Sequence, residues 1–162
     1  MDSILLDAIV IGCGATLTMD IMGNFLDRVF GIRPLDYRLV GRWCHSLTKG
    51  RVFHRPIAGT QPVRYEELLG WVVHYATGVT FALVFILLVG ERWVASPTPF
   101  PALAFGALTV AVPFFLIQPA FGAGIAARRM PKPWHARAKS LTAHATFGAG
   151  IWLSAAIWVS TS

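Results

Sequence analysis

Charge is scarce in this chain: Asp, Glu, Lys and Arg together supply 14% of 162 residues, where a soluble domain carries about a quarter. Hydrophobic residues supply 55%, and the mean hydropathy is +0.58. One domain's length of so apolar a chain cannot cover its greasy surface in water, which excludes an ordinary soluble globule and leaves lipid as the solvent. Cysteine is nearly absent as well. Cys13 and Cys44 cannot make a disulfide framework and are read as reduced, structural thiols. A nucleophile elbow, a phosphate-cradling glycine loop and a His-Glu-x-x-His pattern are all missing. The enzyme chemistry left is an acid–base pair of Asp20 with His74 or His144, so the balance leans away from an enzyme. The first residues, Met1-Asp2-Ser3, lack the positive charge of a secretory signal, and the apolar block runs on into Asp20 and Asn24. That block is expected to be a retained helix.

What is present is four apolar blocks, at about residues 4–26, 68–89, 101–126 and 140–160. About 20 residues at about 1.5 Å each cross a hydrocarbon core of roughly 30 Å. The expected fold class is therefore all-α: a four-helix transmembrane bundle in a single integral membrane domain. Pro113, Gln118 and Pro119 predict a kink or break late in the third block.

The formal charge of +6 suggests nucleic acid, but its placement does not. Eight basic residues (Arg28, Arg33, Arg38, Arg42, Lys49, Arg51, Arg55, Arg64) lie in the connector 27–67 and five (Arg128, Arg129, Lys132, Arg137, Lys139) in the connector 127–139, against Arg92 alone in the middle connector. By the positive-inside rule both basic connectors are cytoplasmic and both termini lie outside. Trp43, Trp71, Trp93 and Trp134 fall near the ends of blocks, as an interfacial belt requires.

The halves echo each other. Gly14-Ala15-Thr16 resembles Gly106-Ala107-Leu108-Thr109, and His74-x-x-x-Gly78 resembles His144-x-x-x-Gly148. Two tandem hairpins related by a pseudo-two-fold axis along the membrane normal would produce this pattern. Gly78, Gly148 and Gly150 are expected to let helices approach closely.

Ionisable side chains in lipid cost about 2.5–3.5 kcal/mol on insertion scales, so they usually face a bundle interior. Cys13, Thr16, Asp20, Asn24 and Asp27 share one face of the first helix. Counted from the block ends, Asp20, His74, Gln118 and His144 fall at similar depth in the cytoplasmic third, one from each helix. Four readings follow. These groups tie helices together, relay a proton or ion, line a pocket for a small polar solute beside the broken third helix, or clamp a metal or haem b through His74 and His144. The two histidines alone carry no metal-ligand spacing, so no resident cofactor is expected.

The first connector is long for a helical hairpin. Its stretch 35–43, Leu-Asp-Tyr-Arg-Leu-Val-Gly-Arg-Trp, alternates apolar and charged groups. It reads as an amphipathic segment on the membrane surface, its arginines meeting anionic lipid, or as a lid over the polar cluster with Asp36, Tyr37 and Arg42 as its contact residues.

Gly14-Ala15-Thr16 with Met19-Asp20, Leu35-Asp36-Tyr37, Val40-Gly41-Arg42-Trp43, Gly70-Trp71 with His74-Tyr75, Pro113-Phe114-Phe115 with Gln118-Pro119-Ala120-Phe121-Gly122, and His144 together resemble the DUF2938 family of small bacterial membrane proteins. The likeness spans nearly the whole chain. It implies four helices and the bacterial inner membrane and, the family being of unknown function, no reaction or substrate. Membrane lipids, a second copy of the chain and an unidentified small polar solute or ion are the expected partners.

Overall fold

The computed structural model describes residues 2–161, and among them all regular structure is helical. Helix α1 is Asp2–Phe30, longer than expected by one turn. It stops where Gly31 takes φ +66°, with Gly31 N–H on the Asp27 carbonyl and Ile32 N–H on the Leu26 carbonyl. That is a glycine C-terminal stop, and Pro34 bars resumption. Helix α2, Tyr37–Leu47, begins at an Asp36 N-cap whose carboxylate accepts from the Arg38 backbone N–H at 3.1 Å. Helix α3 is Glu66–Val89, α4 Glu91–Ala95 and α5 Pro99–Leu108, the last opening on proline where no intrahelical N–H is needed. Helix α7, Pro133–Thr161, also starts on proline, two turns earlier than the sequence suggests.

The third block corrects the expected span to residue 126. It runs as α5, a two-residue turn, a π-helical stretch Pro113–Ile117 and a short α6, Gln118–Ala120, where the helical run ends. Pro113 and Pro119 each lack the N–H that an α-turn requires. The chain responds with wider turns: Gln118 N–H reaches the Pro113 carbonyl and Ala123 N–H the Gln118 carbonyl, five residues back in each case.

Among the described residues, three helices are long and apolar enough to cross a bilayer: Ile4–Phe30, Glu66–Val89 and Pro99–Ala120. Their apolar side chains face outward in number. Leu88 and Leu108 are each 72% exposed and Phe100 79%, a poor arrangement in water and a natural one in acyl chains. Helix α7 has the length, at 29 residues. His144, Thr142, Thr146 and Ser154 dilute its hydropathy below that of the other three.

The chain divides into two compact units. The first comprises residues up to Pro34, Tyr75–Thr109, and Leu141 onward. Its core joins Ala8, Ile11 and Ala15 of α1, Phe85 and Ile86 of α3, Ala102 of α5, and Phe147 and Ile151 of α7. Small residues set how closely these helices approach. A Cβ on Gly12 would meet the α3 backbone at Val79, one on Gly148 the Ala102 carbonyl on α5, and one on Gly150 the Ala15 backbone on α1. Phe81 and Phe85 close the ring of contacts by packing on Phe105.

The second unit comprises Leu35–His74 and Val110–Ser140. Val40, Ile57, Ala120 and Phe121 form its core. Helix α2 lies directly on the first turns of α3, because Gly41 leaves room for the Glu66 carbonyl and Gly70 for the Tyr37 carbonyl.

Candidate functional site

In the first unit, Asp20 is half-buried on α1, and its Oδ2 accepts from the Tyr75 hydroxyl of α3 at 3.2 Å. Asn24, one turn on, is exposed. Thr109 Oγ1 lies 2.6 Å from the Gly106 carbonyl and 2.7 Å from His144 Nδ1. A carbonyl only accepts, so the single hydroxyl proton goes to Gly106, and His144 donates from Nδ1 to the threonine oxygen.

In the second unit, His74 lies beneath the connector. The Tyr37 ring stacks on its imidazole at 4.1 Å and 24°, and Trp71 packs 4.6 Å from the same tyrosine. Gln118 Nε2 donates to Ser140 Oγ at 3.2 Å, while Gln118 Oε1 is buried with no hydrogen-bond partner. A buried acceptor left open costs about 1–3 kcal/mol. The four polar residues singled out in the sequence are thus held by different neighbours, Asp20 and His144 within the first unit and His74 and Gln118 within the second.

The three connector residues divide by role. Tyr37 reaches a site histidine. Asp36 caps α2 and pairs with Arg38 at 2.9 Å on the surface; the Arg38 hydrogen bond holds its carboxyl below the ordinary aspartate value. Arg42 is buried, and it grips Glu66 through two parallel bonds, Nε to Oε2 at 2.8 Å and Nη2 to Oε1 at 2.7 Å. Its third nitrogen donates to the Thr60 carbonyl at 2.8 Å, and Glu66 also accepts from Val63 N–H. The Glu66 carboxylate pushes the Arg42 guanidinium further up from its ordinary value. Glu66 is missing from the sequence reading. Its one signal there is an acidic residue at the threshold of an apolar block, among many unpaired arginines.

His54, whose surroundings in the sequence carry no metal-ligand spacing, is the other residue outside the sequence-predicted site. The 54–57 segment docks on the end of α6, with His54 N–H on the Ala120 carbonyl at 2.9 Å and Ile57 N–H on the Phe121 carbonyl at 3.1 Å. Gly122, at φ +93°, permits this, since a Cβ there would sit 2.6 Å from the His54 carbonyl oxygen. The His54 ring is buried and neither nitrogen has a partner. Among the described residues no three His, Cys, Asp or Glu side chains are grouped to hold a metal.

The Gln118–Gly122 stretch, which holds Pro119 and receives the docking loop, is the most specific part of the likeness noted in the sequence. A family model for proteins of unknown function, DUF2938, matches residues 9–158. This chain belongs to the DUF2938 family. No curated protein and no solved structure matches it. In this DUF2938 chain the Pro-Ala-Phe-Gly run after Gln118 has a concrete task. It supplies the two carbonyls that receive the connector and the glycine that lets it approach.

Proposed function

We propose that this DUF2938 protein is a polytopic inner-membrane protein that binds a small polar solute or a cation at Gln118. The observation that carries the reading is the buried, unpartnered Oε1 of Gln118, beside a π-helical stretch between two prolines. An acceptor kept open at a cost of about 1–3 kcal/mol suits a donor that arrives from outside the chain: water, an ammonium group or a hydroxyl. Wide π-turns recur at functional sites, where they expose backbone groups to a ligand. His74 under the Tyr37 ring supports the lid role for the connector, and the Arg42–Glu66 pair fastens that lid to α3.

On this reading the bundle has four spans, α7 being the fourth. Both basic connectors face the cytoplasm and both termini lie outside. The hairpin repeat is a duplication, and a homodimer would supply a pore that four helices alone lack. The rival reading, a non-catalytic membrane subunit or scaffold, draws on the Asp20–Tyr75 and Thr109–His144 contacts, in which polar groups serve as glue between helices.

Cysteine accessibility separates the two. With Cys13 and Cys44 replaced by alanine, a Gln118→Cys variant in membrane vesicles is expected to react with a small, charged methanethiosulfonate, because a solute site is reached by water. A thiol at 118 that stays unlabelled in folded protein and reacts only after denaturation would sink the solute site and leave the scaffold.

A further inference from the structure

The loop that docks on α6 also borders an open cavity of about 380 Å³ within the second unit. Arg51, His54, Arg55 and Thr60 line it, with Gly59 leaving part of the wall bare, and no acidic residue contributes. Arg51 and Arg55 are exposed, and neither forms an ion pair among the described residues. Glu66, the buried carboxylate of this unit, is already taken up by Arg42. His54 is 5% exposed, and both its ring nitrogens lack partners. Thr60 Oγ1 donates to the Ile57 carbonyl at 2.7 Å, so its proton is spent within the turn.

Two unpaired guanidinium forks and an idle imidazole around one cavity make a donor-rich, acceptor-poor environment. The loop is pinned by two backbone bonds at the end of α6, so His54 and Arg55 extend from a fixed stretch of backbone. An anion with several oxygens on one tetrahedral centre matches such donors better than a planar carboxylate, because its oxygens point in different directions and can be shared among two arginines and an imidazole.

We propose that this cavity binds a phosphate group, with Arg51 and Arg55 supplying charge and His54 turning its ring to donate one hydrogen bond. The same chemistry is offered by a phosphodiester in an anionic phospholipid headgroup and by a free or soluble phosphate. The site stands apart from Gln118 and does not depend on it.

The test uses full-length protein purified in detergent. Native mass spectrometry compares retention of phosphatidylglycerol and phosphatidylcholine, and thermal unfolding is followed with inorganic phosphate against chloride at matched ionic strength. The variants are Arg51→Gln with Arg55→Gln, each also made singly in case the double does not fold, and His54→Phe. Arg128→Gln with Arg129→Gln removes the same charge from the other connector. Losing two charge-assisted contacts is expected to lower affinity about tenfold or more. The single variants and His54→Phe should lose about threefold each, and the Arg128 and Arg129 pair, which does not line the cavity, should change little. Preferential loss of phosphatidylglycerol identifies a headgroup site. A phosphate-induced rise in melting temperature that vanishes in the same variants identifies a soluble phosphate. Equal losses in both connector pairs would reduce the effect to diffuse electrostatics, and unchanged binding in every cavity variant would overturn the proposal outright.

Discussion

Arg42 and Glu66 show how much one pair of side chains can fix. Each is about nine-tenths removed from solvent, and each carboxylate oxygen accepts from a different guanidinium nitrogen. Removing one partner of a buried pair strands the other's charge, which costs about 3 kcal/mol. Arg42→Met is therefore expected to lower stability by that order, read as the midpoint of thermal unfolding in detergent. The double variant Arg42→Met with Glu66→Met should recover much of the loss, because no uncompensated charge remains. If the single change costs under about 0.5 kcal/mol, the pair behaves like an exposed one and the clamp between α2 and α3 is not real. This pairing was invisible in the sequence for a physical reason. Twenty-four residues separate the partners, and eight basic residues in that connector compete on paper for the same acid. Asp36 was easier to place, since an N-cap needs only its immediate neighbours.

At the scale of the helix, close approach decides the packing of the first unit. A methyl on Gly148 would sit 2.6 Å from the Ala102 carbonyl and 3.0 Å from Leu103 Cα, both backbone atoms that cannot swing aside. Gly148→Ala should force α5 and α7 apart at a cost of about 1–3 kcal/mol. Gly59→Ala meets nothing within 4 Å and serves as the neutral comparison. Equal melting temperatures for the two variants would show that α5 and α7 do not pack this tightly. The helices themselves were legible because hydropathy is a local property. Pro113 and Pro119 announced the break in the third block, and glycine spacing announced the contacts at Gly78, Gly148 and Gly150. Helix α7 was placed too late because Trp134, His135, Arg137 and Lys139 look like a loop, although Pro133 is a helix-start signal. The polar neighbours of the candidate site were out of reach. Tyr75, Thr109 and Ser140 are ordinary residues until the fold places them beside Asp20, His144 and Gln118.

For the molecule as a whole, the number of crossings sets which side of the membrane each charged segment meets. Three helices satisfy length and hydropathy together, and α7 satisfies length. Yet α7 gives Phe147, Ile151 and Ala155 to the same apolar core as α1, α3 and α5. A helix that shares a core with apolar spans is hard to place outside a bilayer, which supports the proposal of four crossings; on that proposal thirteen basic residues in two connectors lie on one side and Arg92 on the other. Polar dilution by His144 and the threonines is tolerable because at least His144 is satisfied by a neighbouring helix. The expected outcome is that alkaline phosphatase fused after residue 162 is active, whereas green fluorescent protein at that position stays dark in the oxidising compartment. Fusions placed within the 127–139 connector should give the opposite pair of signals. A fluorescent carboxyl-terminal fusion together with a fluorescent 127–139 fusion would mean that α7 does not cross, leaving the end of the chain on the same side as the two basic connectors.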